Sequence, residues 1–582
     1  MRVDLSPSVP HSVSPALPPS LRPWAARGLL STALITALLS VGTGCGGQFS
    51  GKDRAPSAEA GAGGADGGAG EAAQGPVELA PSPMARLTSR QYQNVLDDIF
   101  GPARPVELQA DTAPYLFTSI GASTEPLGEQ GVQLIEEAAQ QVTGEVFADA
   151  ARREALLGCA PTGPADDCVR AYLTRLGLRA WRRPLDEAEL SRWLAMSELL
   201  AEGDVWRGVQ LATAGMLQSP AAVYRVELGE PDPEDPSRLL LTDYELASRL
   251  SFVLWNTGPD EALLAAAAEG RLRSPEGLRA EALRLLADPR ADEAMAAFFE
   301  QYLDLGRLDR AQPDPTTFPQ FTPSLRSAMR AEVLLLVDQV VNREDGDLRG
   351  IFSNRRAFVN SELAAHYGLE AEGAGPITFV PLTLPPDSER AGILGLGAFL
   401  TMNAHAVDNS PTLRGKYVME RILCYSVPPP PGDVSTDIAP ATEAAPTLRA
   451  RLAEHRENPD CSGCHSLMDP PGLVFERFDP IGAWRDSEAG YPIDTTGELL
   501  GEPLSGPGEL ADRLADSDRI GPCVVKQLYR HAHGRLEAPE EAGTLEALSA
   551  GFAEDGHRFR GLLLSLVTHE SFRAIAAPVE AR

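Results

Sequence analysis

Five consecutive residues, Cys461-Ser462-Gly463-Cys464-His465, constrain this chain more than any other stretch of it. Two cysteines three apart on a helical turn can each bond one vinyl group of a haem, and the adjacent histidine then points at the iron. A helical turn bearing one covalent haem c is therefore the first expectation. Two other chemistries use the same residues. Half of a zinc site would need a second close pair of ligands, and the remaining cysteines are far apart in sequence. A thioredoxin-type redox pair expects a βαβ setting, which this region lacks.

The iron's other ligand is less constrained. Met468 sits three residues beyond His465, on the same side of the haem. Met402, His405, Met419, His531 and His533 are further candidates. His405, in the loop-like stretch TMNAHAVDNSP, is the expected sixth ligand, with an open position as the alternative. After the motif come Phe475, Phe478 and Trp484, aromatics of the kind that wall a haem pocket. Arg485 could pair with a haem propionate; read more plainly, these residues are core packing and a turn.

The beginning of the chain supplies a compartment for such chemistry. Arg22 and Arg27 precede an uncharged run, GLLSTALITALLSVGTG, that ends at Cys45. A positive flank and an apolar run of this length read as an export signal rather than a spanning helix. Gly42, Thr43 and Gly44 before Cys45 resemble a bacterial lipoprotein processing site, with Gly42 where a leucine is usual. The alternative is an ordinary cleaved signal that happens to end at a cysteine. Residues 46–82 are Gly/Ala-rich and read as a flexible tether. The expected localisation is periplasmic or outer-membrane, by a lipid on Cys45.

Of seven cysteines, Cys45 is assigned to lipid and Cys461 and Cys464 to haem. Cys159, Cys168, Cys424 and Cys523 remain, an even number available for disulfides after export. Cys159 and Cys168 bracket the loop CAPTGPADDC and are the easiest pair, which leaves Cys424 with Cys523. Buried free thiols are the alternative for all four.

The body of the chain reads as helical. Three helix-start boxes recur: Thr88 with Gln91, Asp186 with Glu189, and Thr242 with Glu245, each flanked by an apolar pair. Amphipathic stretches cover 129–150, 165–182, 186–201, 206–217, 242–255, 275–287, 290–304 and 324–343. Strand patterns are scarce, with 222–228 and 376–383 as short candidates, and 486–507 reads as loop with a small hairpin. The fold class expected is all-α, mainly helical and multi-domain, with a c-type cytochrome-like haem region and few short strands. The proline run from Pro428 is expected to be extended and stiff. The expected units are the signal at 1–45, the linker at 46–82, and helical domains at 83–145, 146–205 and 206–370. A haem-binding domain at 371–507 and a C-terminal helical domain at 508–582 complete the series. A formal net charge of −31 argues against nucleic acid and against docking on anionic lipid heads.

The order of segments resembles the planctomycete-type cytochrome family of multi-domain exported proteins. The resemblance is carried by RLTSRQYQNVLDDIFG (86–101), LGLRAWRRPLDEAEL (176–190), LTDYELASRLSFVLWNTGPDEALL (241–264) and RAGILGLGAFLTMNAHAVDNSPTLRGKYVMERILC (390–424). It continues through CSGCHSLMDPPGLVFERFDPIGAWR (461–485) and CVVKQLYRHAHGR (523–535). It implies an exported, mainly helical, haem-bearing protein with Cys461, Cys464 and His465 as the haem residues, and it supplies no substrate. Three functions stay open: single-haem electron transfer with a redox partner protein, a haem enzyme of peroxidase or oxidase type, and an envelope scaffold or polysaccharide-binding protein with accessory haem. No G-x-S-x-G, H-E-x-x-H or G-x-G-x-x-G signature accompanies the motif.

Overall fold

The computed structural model describes residues 79–577 apart from 103, 386–387, 429–437, 439 and 458, with only the backbone of 459 and 460. The export signal, Cys45, most of the tether and most of the proline run lie outside the described residues.

The architecture is mainly α, 57% helix against 7% strand. The N-terminal helices are α1 (Ser89–Phe100), α2 (Glu129–Ala148), α3 (Asp167–Ala180), α4 (Glu187–Ala201) and α5 (Val205–Leu217). The central ones are α6 (Asp243–Trp255), α7 (Pro275–Leu286), α8 (Pro289–Tyr302) and α9 (Pro323–Asp338), the last running on into a π-helical turn at Gln339–Arg343. Then come α10 (Pro411–Tyr417), α11 (Leu448–Arg456), α12 (Pro459–Leu473), α13 (Ile520–His533), α14 (Ala542–Glu554) and α15 (Phe559–Thr568).

The start signals are chemical and local. In all three boxes the cap side chain accepts from the backbone N–H three residues on, and the Gln or Glu there accepts from the cap N–H. Each box satisfies two backbone donors that a helix start would otherwise leave open. Helix α1 stops where Gly101 takes a φ of 79°, which only glycine adopts without strain.

Two apolar cores follow from these faces. The smaller joins Tyr92, Leu96, Val142, Leu173, Met216 and Phe252, so it lies among α1 to α6. The larger runs from Leu116 through α6–α10 and α12–α15 as far as Ile575, and includes Phe299, Phe352, Phe399, Phe475 and Phe559. Leu448 and Leu452 of α11 pack with Leu473 in a small satellite cluster. Phe252 and Trp255 on α6 go to different cores, so this helix ties the two together.

Strands are short ties. β1 (Ala85–Arg86) pairs antiparallel with β2 (Tyr224–Arg225). β3 (Glu230–Pro231) pairs with β4 (Arg238–Leu240), whose other edge takes β11 (Ala574–Ala576). β5 (Arg356–Val359) pairs with β6 (Val380–Thr383), and two hairpins, β7/β8 (Ser487–Glu488, Tyr491–Pro492) and β9/β10 (Gly497–Leu499, Glu502–Leu504), fill 487–504. The β4–β11 ladder brings the C-terminal end back to the middle of the chain. Beside it Arg249 donates to the Phe572 carbonyl and to Glu227 at 2.5 Å, a pair almost wholly buried. The structure joins Cys159 to Cys168 and Cys424 to Cys523 by disulfides, the second across 99 residues.

Candidate functional site

The Cys461–His465 turn lies in the first half of α12, and α12 is held by α10. The two helices cross with almost nothing between their backbones. A Cβ on Gly415 would fall 1.7 Å from the Met468 carbonyl oxygen, and one on Gly472 would fall 1.8 Å from that of Pro411. Only glycine fits at either point. Pro470 and Pro471 sit inside α12 and remove the N–H groups that would bond the carbonyls one turn back.

Arg414 ties α10 to the segment that follows α12. Its fully buried guanidinium donates to the carbonyls of Phe475, Phe478 and Asp479 at 2.9–3.1 Å, and to Leu400 and Asn409 at 3.3–3.4 Å. Burial lowers its pKa to about 10, so the charge is retained at neutral pH through these bonds to oxygen.

On this frame Cys461 is buried and Cys464 half-buried, both as free thiols, and the Cys464 sulfur lies 3.9 Å from the Pro428 carbonyl oxygen. The imidazole of His465 turns its Nδ1 to Asp469, one helical turn on, at 3.1 Å from each carboxylate oxygen. Asp469 is fully buried and accepts a second bond, 2.7 Å, from the Thr412 hydroxyl of α10. With the proton on Nδ1 facing a carboxylate, the lone pair is left on Nε2, the tautomer a metal-binding imidazole needs.

The donor set therefore fits a haem c: two free sulfurs three residues apart on one helix, and beside them an imidazole fixed in the ligating tautomer. Among the described residues no group of three or more His, Cys, Asp or Glu side chains could hold a metal ion, so a closed zinc centre has no donors there. No described helix is long and apolar enough to cross a membrane.

The other sequence candidates lie apart from this turn. His405 is exposed, at a cavity lined by Arg307, Arg310 and Met402 and by no residue of α12. Met419 is fully buried in the larger core. His531 packs between Phe117 and Phe298, and His533 stacks on Tyr529 at 4.0 Å. Met468, like His465, is on α12, and it is buried. The histidine that does meet His465 is His455 on α11, its ring edge-on with centroids 4.5 Å apart. Burial and the neighbouring imidazole both lower its pKa.

Arg485 donates to the Glu476 carbonyl at 2.9 Å and approaches its carboxylate at 3.4 Å. Of the aromatics, Phe475 packs on Phe399 inside the larger core, and Phe478 meets the half-exposed Trp484 edge-on. Phe475 and Phe478 belong to the larger core, whereas the Trp484 ring stands at its edge.

Sequence reasoning missed His455, Asp469 and Thr412. Asp469 was legible, because four residues beyond His465 on a helix is contact spacing. His455 and Thr412 come from other helices and leave no local signal.

Four family models match the chain, each described as a protein of unknown function: DUF1595 at residues 168–227, DUF1592 at 241–369, DUF1588 at 390–488 and DUF1585 at 500–572. The Cys461–His465 turn, α10 and α12 all fall within the third. No curated protein and no solved structure matches the chain.

Proposed function

The chain belongs to the planctomycete-type cytochrome family, and on that footing we propose that it is an exported, lipid-anchored protein with one covalent haem, passing single electrons at the bacterial envelope. One observation carries the reading: two free cysteines three residues apart on α12, next to a histidine whose Nδ1 is held by a buried carboxylate. In this reading Cys461 and Cys464 take the thioether bonds and His465 presents Nε2 to iron. A haem so held supplies a one-electron ferrous/ferric couple.

The surrounding residues support that role by holding still. The Gly415–Gly472 crossing sets α12 against α10, the Arg414 bonds hold the segment after it, and Asp469 holds Nδ1 of the imidazole. Asp469, held by Thr412, would make His465 a stronger donor to a bound iron. In this reading the export signal at 1–45 supplies the compartment, Cys45 the anchor, and residues 46–82 the tether between anchor and body.

Expression in a host that matures c-type cytochromes tests the attachment. Denatured wild-type protein is expected to keep haem-dependent peroxidase staining in a gel. Cys461→Ser with Cys464→Ser is expected to lose it while remaining folded. Staining retained in that variant, or absent from the wild type, rejects the assignment.

A further inference from the structure

A cleft on the other side of α10 contains none of Cys461, Cys464 and His465. It consists of two neighbouring cavities of about 350 and 230 Å³, both lined by Arg307. Arg310 and His405 stand in the first, Lys416 and Arg421 in the second. Helix α10 divides the two sites: Thr412 and Gly415 face α12, while Leu413 and Lys416 line the cleft.

The charge here runs against the rest of the molecule. The chain has 82 acidic residues against 51 lysines and arginines, yet four lysines and arginines line this cleft against two acids, Asp304 and Glu420. Those cations are also poorly paired. Arg310 and Arg421 each reach the same carboxylate, Asp304, only at 3.9 Å, and Lys416 reaches Glu420 only at 3.8 Å. Arg307 has no side-chain hydrogen bond or ion pair among the described residues. Many arginines elsewhere close on carboxylates at hydrogen-bond distance, as Arg284 does on Asp260 at 2.9 Å and Arg530 on Glu537 at 2.5 Å, although Arg449 and Arg513 also stay at 3.6 and 3.7 Å from theirs. Burial raises the pKa of Asp304, against the opposing pull of Arg421, Arg307 and Arg310.

We propose that this cleft binds an organic anion carrying at least two carboxylates, one for each cavity, with Arg307 between them. A guanidinium presents a planar fork that matches a carboxylate, and Pro313, Met402 and Ala404 offer apolar surface to a carbon skeleton. The two acids in the wall disfavour the denser charge of a phosphate. A small tricarboxylate and a uronic-acid oligosaccharide share this chemistry. The site does not depend on the haem assignment.

Titration calorimetry on the full exported chain at low salt tests it, with tricarballylate, trigalacturonate and inorganic phosphate as probes. Saturable binding of either carboxylate, one per chain and weakening as salt rises, is expected. The Arg307→Gln/Arg421→Gln double variant should bind at least about tenfold more weakly with unchanged thermal unfolding. Binding of tricarballylate alone identifies a small acid, and binding of trigalacturonate alone an acidic sugar. Should the double variant fail to fold, Arg310→Gln, whose side chain is 71% exposed, carries the same comparison. No binding of either carboxylate, binding of phosphate alone, or affinity untouched by the variants overturns the proposal.

Discussion

His465 owes its orientation to Asp469, a carboxylate with no solvent exposure that also holds the Thr412 hydroxyl. Replacing Asp469 by Asn keeps an acceptor facing Nδ1 and removes the negative charge. Redox titration of Asp469→Asn is therefore expected to give a higher midpoint potential than wild type, because the oxidised state loses its counter-charge. An unchanged potential would show that Asp469 only packs. A second buried acid acts on stability instead. Glu332 is completely buried on α9 and accepts from the Tyr367 hydroxyl at 2.6 Å, and burial raises its pKa from 4.5 to about 8. Between those two values the folded state holds a proton that the unfolded state has lost, so this group makes stability fall as pH rises. Glu332→Gln should flatten that slope and unfold at a higher temperature than wild type at pH 9; thermal melts from pH 5 to 9 check it. An equal loss of stability at every pH would contradict the protonated state. In the sequence the motif residues were legible because their chemistry is set by spacing along one helix. Glu332 was not, since nothing local distinguishes a carboxylate that folds inward from the many that face water.

Elements were the most legible level. The three capping boxes mark helix starts by bonds that span three residues, and the amphipathic stretches match helices to within a few residues because apolar periodicity is a local property. The haem region was harder to read. Its central device is the backbone approach of α10 to α12 at Gly415 and Gly472, 57 residues apart, and two glycines so distant carry no joint signal. The geometry there is unforgiving, since the atoms a Cβ would strike are backbone oxygens. Gly415→Ala should cost about 1–3 kcal/mol or more, read as a lower midpoint in urea unfolding with an unchanged slope. A variant as stable as wild type would mean that the helices separate freely.

For the molecule as a whole, long-range closures matter most. The β4–β11 ladder and the Arg249 bonds to Glu227 and Phe572 bind the C-terminal end to the middle of the chain, and the Cys424–Cys523 disulfide ties the segment after α10 to α13. Both pairings could be read from the sequence, Cys159 with Cys168 because they bracket one loop and Cys424 with Cys523 as the remainder, but the packing that brings the second pair together across 99 residues could not. The sixth-ligand candidates show the same limit: His405 lies in a cationic cleft, and His455 is the histidine that meets His465. The proposed anchor belongs at this scale too. Cys45→Ser is expected to move the protein from the membrane fraction to the soluble one after lysis, while wild type sediments with membranes unless detergent is added; an unchanged distribution would reject lipidation at Cys45. The most direct measurement of the central claim is an optical spectrum of the exported protein, oxidised and then reduced, after extraction that removes non-covalent haem. Sharp reduced bands that survive extraction, at one haem per chain, are the expected result. A protein exported by a host that matures cytochromes and yet without covalent haem absorbance would contradict it.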